Sequence, residues 1–170
     1  VIPFAGAMIR EREDGSLDRL LTMPASYAKI LLSKILVFLV ICYLQFVLIL
    51  LMGIYFFPVV NLPALQTGSN LGMLSLMTLA TAFAAIGYGI AVGTITRTHQ
   101  QASIFASISV VILAALGGVW VPVFIMPAFL RQMSIVSPLN WALNGFYDIL
   151  IRDAAFSGIL PGFISLCLFS

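Results

Sequence analysis

The groups able to do chemistry are concentrated in one stretch. Arg10, Glu11, Arg12, Glu13, Asp14, Asp18, Arg19, Lys29 and Lys34 are nine of the fourteen charged residues in the chain, and from Ile35 to Thr96 there is none. Guanidinium, ammonium and carboxylate groups packed this closely make charge-assisted hydrogen bonds. In so apolar a chain they mark the place where a soluble partner can be met. No catalytic constellation accompanies them. The sequence has no GxxxxGK followed by Ser or Thr, no HExxH, and no paired carboxylates inside an apolar run. Cys42 and Cys167 lie in apolar runs without a CxxC or a nearby His, and read as small core residues. Ser103, Ser107 and Ser109 have no base partner and are expected to bond to carbonyls of their own helix. His99, the only histidine, reads as a loop residue.

These groups must be positioned by a membrane domain. Hydrophobic residues make up 62% of the chain and charged residues 8%, against roughly a quarter charged in a soluble domain. The net charge of +2 is too small and too scattered to suggest nucleic acid. The fold expected is all-α and polytopic. Residues 1–9 (VIPFAGAMI) read as the end of an upstream crossing, and 10–34 as a charged loop and elbow. Residues 35–57, 71–96 and 101–119 read as full crossings, each close to the ~20 residues a span requires. Residues 156–170 read as the start of a last crossing, so the chain looks like a piece of a longer one.

Within the loop, Asp14-Gly15-Ser16 is turn chemistry. Ser16 is placed to cap a short helix in which Leu17, Leu20 and Leu21 share one face. Asp18 falls in its first turn, where the helix dipole favours an acid, and Pro24 stops it. Ser26 is placed to cap the next helix, which carries Lys29 and Lys34 to the membrane surface. A plain solvated loop is the competing reading.

Residues 120–155 are apolar but broken by Pro122, Pro127 and Pro138, and read as short helices that dip into the membrane edge or lie on it. Ser137-Pro138 predicts a helix start, with the hydroxyl as cap and proline in the first turn. Asn140, Asn144 and Asp148 then recur every four residues as a polar strip. Alternating crossings put Arg10, Arg12, Arg19, Lys29, Lys34 and Arg97 on one side and only Arg131 and Arg152 on the other. That bias places the 10–34 loop in the cytoplasm and 120–155 outside.

Three further features bear on function. The crossings carry no ionisable group, whereas ion-coupled transporters usually keep some at mid-membrane, so energy for any transport is expected to enter at the loop. Tyr43, Gln45, Thr78 and Thr81 are the main polar groups within the crossings, candidates to line a pathway or to bond between helices. Gly89 and Gly93 form a GxxxG, which allows close helix approach.

The stretch MIREREDGSLDRLLTMPASYAKILLSK resembles the first cytoplasmic loop of type-2 ABC exporter permeases, through Glu11-Arg12-Glu13, Gly15-Ser16-Leu17-Asp18-Arg19-Leu20, Pro24 and Lys34. Gly117, Gly118 and Pro122, then Met126-Pro127, then Ser137–Ala142 (SPLNWA) are similar to the later part of the same family. The resemblance implies six crossings per membrane domain, of which this chain would hold the end of the second, the third to fifth, the external re-entrant helices and part of the sixth. It implies a coupling helix at about Ser16 to Thr22 that docks on a cytoplasmic ATP-binding subunit or domain. Glu11, Arg12, Glu13, Ser16, Leu17, Asp18, Arg19, Leu20 and Leu21 would be the contact residues. ATP and Mg would sit on that partner and none in this chain, which would itself not be an enzyme. A second permease protomer and membrane lipids are the other implied partners, and the plasma (inner) membrane the location. The alternative is a polytopic assembly protein that transports nothing.

Overall fold

The computed structural model describes Ile9 and residues 27–60, 70–152 and 156–170. Among the described residues the chain is helical throughout, with no strand. Helix α1 (Tyr27–Leu51) runs unbroken past Lys29 and Lys34. It has no glycine or proline in its length, so nothing interrupts its ladder. At Met52–Phe56 the winding loosens to a π-turn in which the Phe57 N–H reaches back to the Met52 carbonyl. One last turn, Phe57–Val59, follows and contains Pro58. The apolar part, Leu31–Val59, is 29 residues long. At 1.5 Å per residue that exceeds a hydrocarbon core of about 30 Å, so the helix fits by tilting.

Helix α2 (Leu71–Ile95) is the hub and packs against the four elements around it, α1 and three introduced next. Leu74, Met77, Ala80 and Ala84 are buried along one side, and Gly89, Val92 and Gly93 towards its end. Small residues predominate because several helices approach at once, and association in lipid relies on close packing more than on water exclusion. Helix α3 (His99–Leu116) begins at His99, two residues before the start expected from sequence, because the Thr98 hydroxyl caps it by accepting from the Gln101 N–H at 3.3 Å.

After α3 the chain turns at Gly117-Gly118, where Gly118 has φ +86°. That left-handed conformation costs an ordinary residue about 1–2 kcal/mol. A 3-10 turn at Val123–Ile125 leads to α4 (Ala128–Ser134), then to α5 (Pro138–Leu150) and α6 (Phe156–Phe169). Helix α5 runs antiparallel to α2. Its first turn lies level with Ala84 and Ala85, Gly145 lies against the Met77 side chain, and Ile149 joins Leu74 in the core. Helix α6 returns along α5, with Trp141 beside Gly162, and reaches the level of Tyr88.

The start of α5 corrects one expectation. Ser137 occupies the cap position, but its hydroxyl does not cap. It donates to the Leu113 carbonyl at 3.1 Å, an oxygen that also accepts from the Gly117 N–H at 2.7 Å. The backbone Ser137 carbonyl instead receives the Asn140 N–H at 3.0 Å. A hydroxyl this buried is satisfied by the nearest acceptor of the seam, the Leu113 carbonyl of α3, and so links the two helices.

Candidate functional site

The expected docking residues Glu11, Arg12, Glu13, Ser16, Leu17, Asp18, Arg19, Leu20 and Leu21 lie outside the described residues. The two ends of that stretch are described. Ile9 is helical and 1% exposed, and it packs with Val92, Ala102 and Ala106 at the seam between α2 and α3. At the other end, Leu31, Ile35, Phe38 and Leu39 of α1 pack around Ile86 and Ile90. Further along α1, Phe46 and Leu50 pack against the Leu74–Ala84 core. The stretch therefore leaves and re-enters the bundle at the same end, the one that carries the Arg97–His99 turn. Arg131 and Arg152, on the α4–α6 side, belong to the opposite end.

The candidate pathway residues fall into three settings. Tyr43 and Gln45 are exposed on α1, with the Tyr43 ring 6.2 Å from that of Phe46. Thr78 and Thr81 turn towards the bundle, but their hydroxyls donate to carbonyls of their own helix, Leu74 at 2.7 Å and Met77 at 2.8 Å. Gly89 and Gly93 are both buried. The first pair and the second thus lie on different helices and different kinds of surface. Thr81 also borders an apolar cavity of about 140 Å³ between α2, α3, α5 and α6, together with Tyr88, Leu113, Pro138 and Phe169. None of those four was put forward from the sequence as a pathway residue, Pro138 having been read only as a helix start. Their apolar types are indistinguishable from ordinary core or lipid-facing residues.

Ser107 and Ser109 behave as expected. Ser107 donates to the Ser103 carbonyl at 2.7 Å and Ser109 to the Phe105 carbonyl at 2.6 Å. The polar strip on α5 is present and longer than foreseen. Asn144 Nδ2 donates to Asn140 Oδ1 at 2.9 Å, and Arg152 Nη1 donates to Asp148 Oδ1 at 2.7 Å. Arg152 continues the same four-residue spacing, so the signal for it was in the sequence.

The ABC-2 type transporter family model matches residues 1–151. The chain belongs to the ABC-2 type transporter family. The linearmycin resistance permease protein LnrN of Bacillus subtilis (strain 168) is 28% identical over 156 residues, 92% of this chain and 39% of that protein. The inner membrane transport permease YhhJ of Escherichia coli (strain K12) is 29% identical over 171 residues, 98% of this chain and 43% of that protein. The probable multidrug ABC transporter permease YbhR of the same organism is 24% identical over 149 residues, 88% of this chain and 39% of that protein. The chain therefore spans about two-fifths of the length of these relatives. No solved structure matches it. Family membership and, among the described residues, three helices long and apolar enough to cross a bilayer make this an integral membrane component of an ABC-2 transporter.

Proposed function

We propose that the chain is part of the membrane permease of an ATP-driven exporter, and that the 10–34 loop receives the force. The observation that carries this reading is the convergence of Ile9, the start of α1 and the Arg97 turn at one end of a bundle whose crossings carry no charged residue. The basic residues that flank or fill the loop collect there, which favours the cytoplasmic side of a plasma (inner) membrane. A coupling helix at about Ser16 to Thr22 docks on an ATP-binding subunit or domain, which holds ATP and Mg. Glu11, Arg12, Glu13, Asp18 and Arg19 make its polar contacts, and Leu17, Leu20 and Leu21 its apolar ones. Closure of the nucleotide sites pushes the loop, and the push passes into α1, a continuous rod from Tyr27 to Leu51. Tilting of α1 against α2 then switches access to a path shared with a second protomer. Uncharged crossings suit a lipophilic or amphipathic cargo, a class compatible with the linearmycin and multidrug names of two relatives.

The test is the full-length protein carrying Arg19→Glu with Leu20→Asp. Reversing a charge and burying another in the docking face is expected to cut co-purification of the ATP-binding subunit at least about tenfold, and to abolish cargo-stimulated ATP hydrolysis in vesicles. Full yield of the complex with intact stimulation would remove the loop from this role.

A further inference from the structure

We propose that the cleft between α5 and α6 binds an alkylammonium group, supplied by the ethanolamine head of a phospholipid in the adjacent leaflet. The cleft measures about 190 Å³ and is walled by Trp141, Asn144, Asp148, Gly158, Pro161 and Gly162. Drug-sized molecules occupy pockets from about 300 Å³ upwards, so the space suits a headgroup and excludes a whole cargo. It also lies at the right depth. Gly145 and Ile149 flank it on α5, level with Met77 and Leu74, one to two turns from the start of α2, where a crossing meets the headgroups.

The oxygens of the wall suit a cation. One Asn144 amide N–H is engaged by Asn140 Oδ1, which leaves the second N–H and the carbonyl oxygen of Asn144. Arg152 engages Asp148 Oδ1, leaving Oδ2. The Trp141 indole N–H is engaged by the Ile135 carbonyl at 2.7 Å and its ring lies edge-on to Phe169, so it is the Trp141 backbone carbonyl that lies beside Gly162. Pro161 has no N–H. The wall therefore presents a carboxylate oxygen and an amide oxygen, acceptors that hold an ammonium by charge-assisted hydrogen bonds.

The surroundings point to a phospholipid as the source. The Arg152 side chain is 75% exposed while Asp148 is 21% exposed. A zwitterionic headgroup laid across the pair would set its ammonium inward on Asp148 and its phosphate outward on Arg152. Gly162 lets α5 and α6 close on each other at the inner end of the cleft, since a Cβ there would come within 3.3 Å of the Trp141 carbonyl. Pro161, Ile164 and Leu168 share one exposed face of α6 at i, i+3, i+7 spacing, a track for acyl chains leading from the cleft towards the membrane centre.

Lipid retention reads this cleft whether or not the chain exports anything. The full-length protein would be purified in detergent with equal amounts of phosphatidylethanolamine, phosphatidylcholine and phosphatidylglycerol, and bound lipid counted by native mass spectrometry. Phosphatidylethanolamine should be retained about tenfold over the other two, because trimethylation removes the N–H donors and glycerol removes the cation. Asp148→Asn should erase most of that preference, whereas Asn144→Asp, which adds a second carboxylate, should increase it. Displacement by millimolar free ethanolamine would assign recognition to the ammonium alone; retention despite it would assign recognition to the whole headgroup. Equal retention of the three lipids by the unmodified protein, or a preference that neither substitution alters, would overturn the proposal.

Discussion

At one end of the bundle Ile9, the start of α1 and the Arg97–His99 turn come together; at the other, α4 brings the chain back and α5 carries it out again beside α6. The first end is marked by charge, the second by steric fit. Charge is rare in this chain, so each Lys or Arg stands out and carries sidedness. Steric fit depends on where Gly117, Gly145 and Gly162 meet neighbours far away in sequence. The comparison teaches that changes at the basic end should alter orientation and partner binding with little effect on packing. Changes at the α5 end should alter stability and leave orientation alone.

The largest effect is expected where a charge enters the region between the two ends. Leu44 lies midway along α1 and is 60% exposed, so Leu44→Arg would place a guanidinium against lipid tails. The insertion cost is about 3 kcal/mol. Arginine at position 29, where Lys29 already carries a positive charge at the exposed basic end, should cost nothing measurable. The fraction of each variant inserted in a glycosylation-tag assay checks the pair. Equal insertion would mean that the Leu44 face is covered by protein or water.

Next in size is Gly117→Ala. A Cβ there would stand 2.8 Å from both the Leu139 Cβ and the Leu113 carbonyl oxygen. Neither is the far end of a flexible chain, so α3 and α5 must separate. Overpacking of this kind costs about 2 kcal/mol. The loss would appear as a lower midpoint in reversible unfolding in mixed micelles.

Ser137→Ala tests the polar link in the same seam. It removes the hydroxyl that donates to the Leu113 carbonyl, and should cost about 1 kcal/mol. The carbonyl keeps the Gly117 N–H, so no acceptor is orphaned. A loss of a different kind, fraying at the start of α5 without global destabilisation, would show that Ser137 acts as a cap after all. Hydrogen exchange of the Asn140 and Trp141 amides separates the two.

Much of this arrangement was legible from sequence and some was not. The apolar runs gave the three crossings because length against bilayer thickness is a strong constraint. The Gly- and Ala-rich half of α2 pointed to close packing, and Ala80, Ala82, Ala84, Gly89 and Gly93 are buried while Ala91 is exposed. The Asn140–Asn144–Asp148 strip was readable because polar residues contrast with an apolar helix. Which side of α1 faces α2 was not readable. Leu31, Ile35, Phe38, Phe46 and Leu50 are as apolar as the exposed Leu36, Val40, Leu44 and Leu48. In a membrane the core and the solvent select the same side chains, so periodicity loses its contrast. The depth of α5 was hidden for a related reason, since a re-entrant turn is specified by glycines whose neighbours lie elsewhere in the chain. The π-turn at Met52–Phe56 had one local cue, Pro58 following Gly53 within five residues, which signals a disturbed helix and not its type.

The smallest expected effect sharpens the steric half of the comparison. Gly145 also sits in a tight seam, but the atom that a Cβ would meet is the terminal methyl of Met77. Methionine has three rotatable side-chain bonds and can swing clear. Alanine in mid-helix also gains up to about 1 kcal/mol over glycine. The two effects oppose each other, so Gly145→Ala should change stability by less than about 0.5 kcal/mol while Gly117→Ala, the same chemical change a few turns away, costs several times more. A similar loss at both sites would mean that the α2–α5 contact is as rigid as the α3–α5 seam. It would also mean that Met77 is held by its neighbours, which a Met77→Leu partner substitution would then fail to relieve.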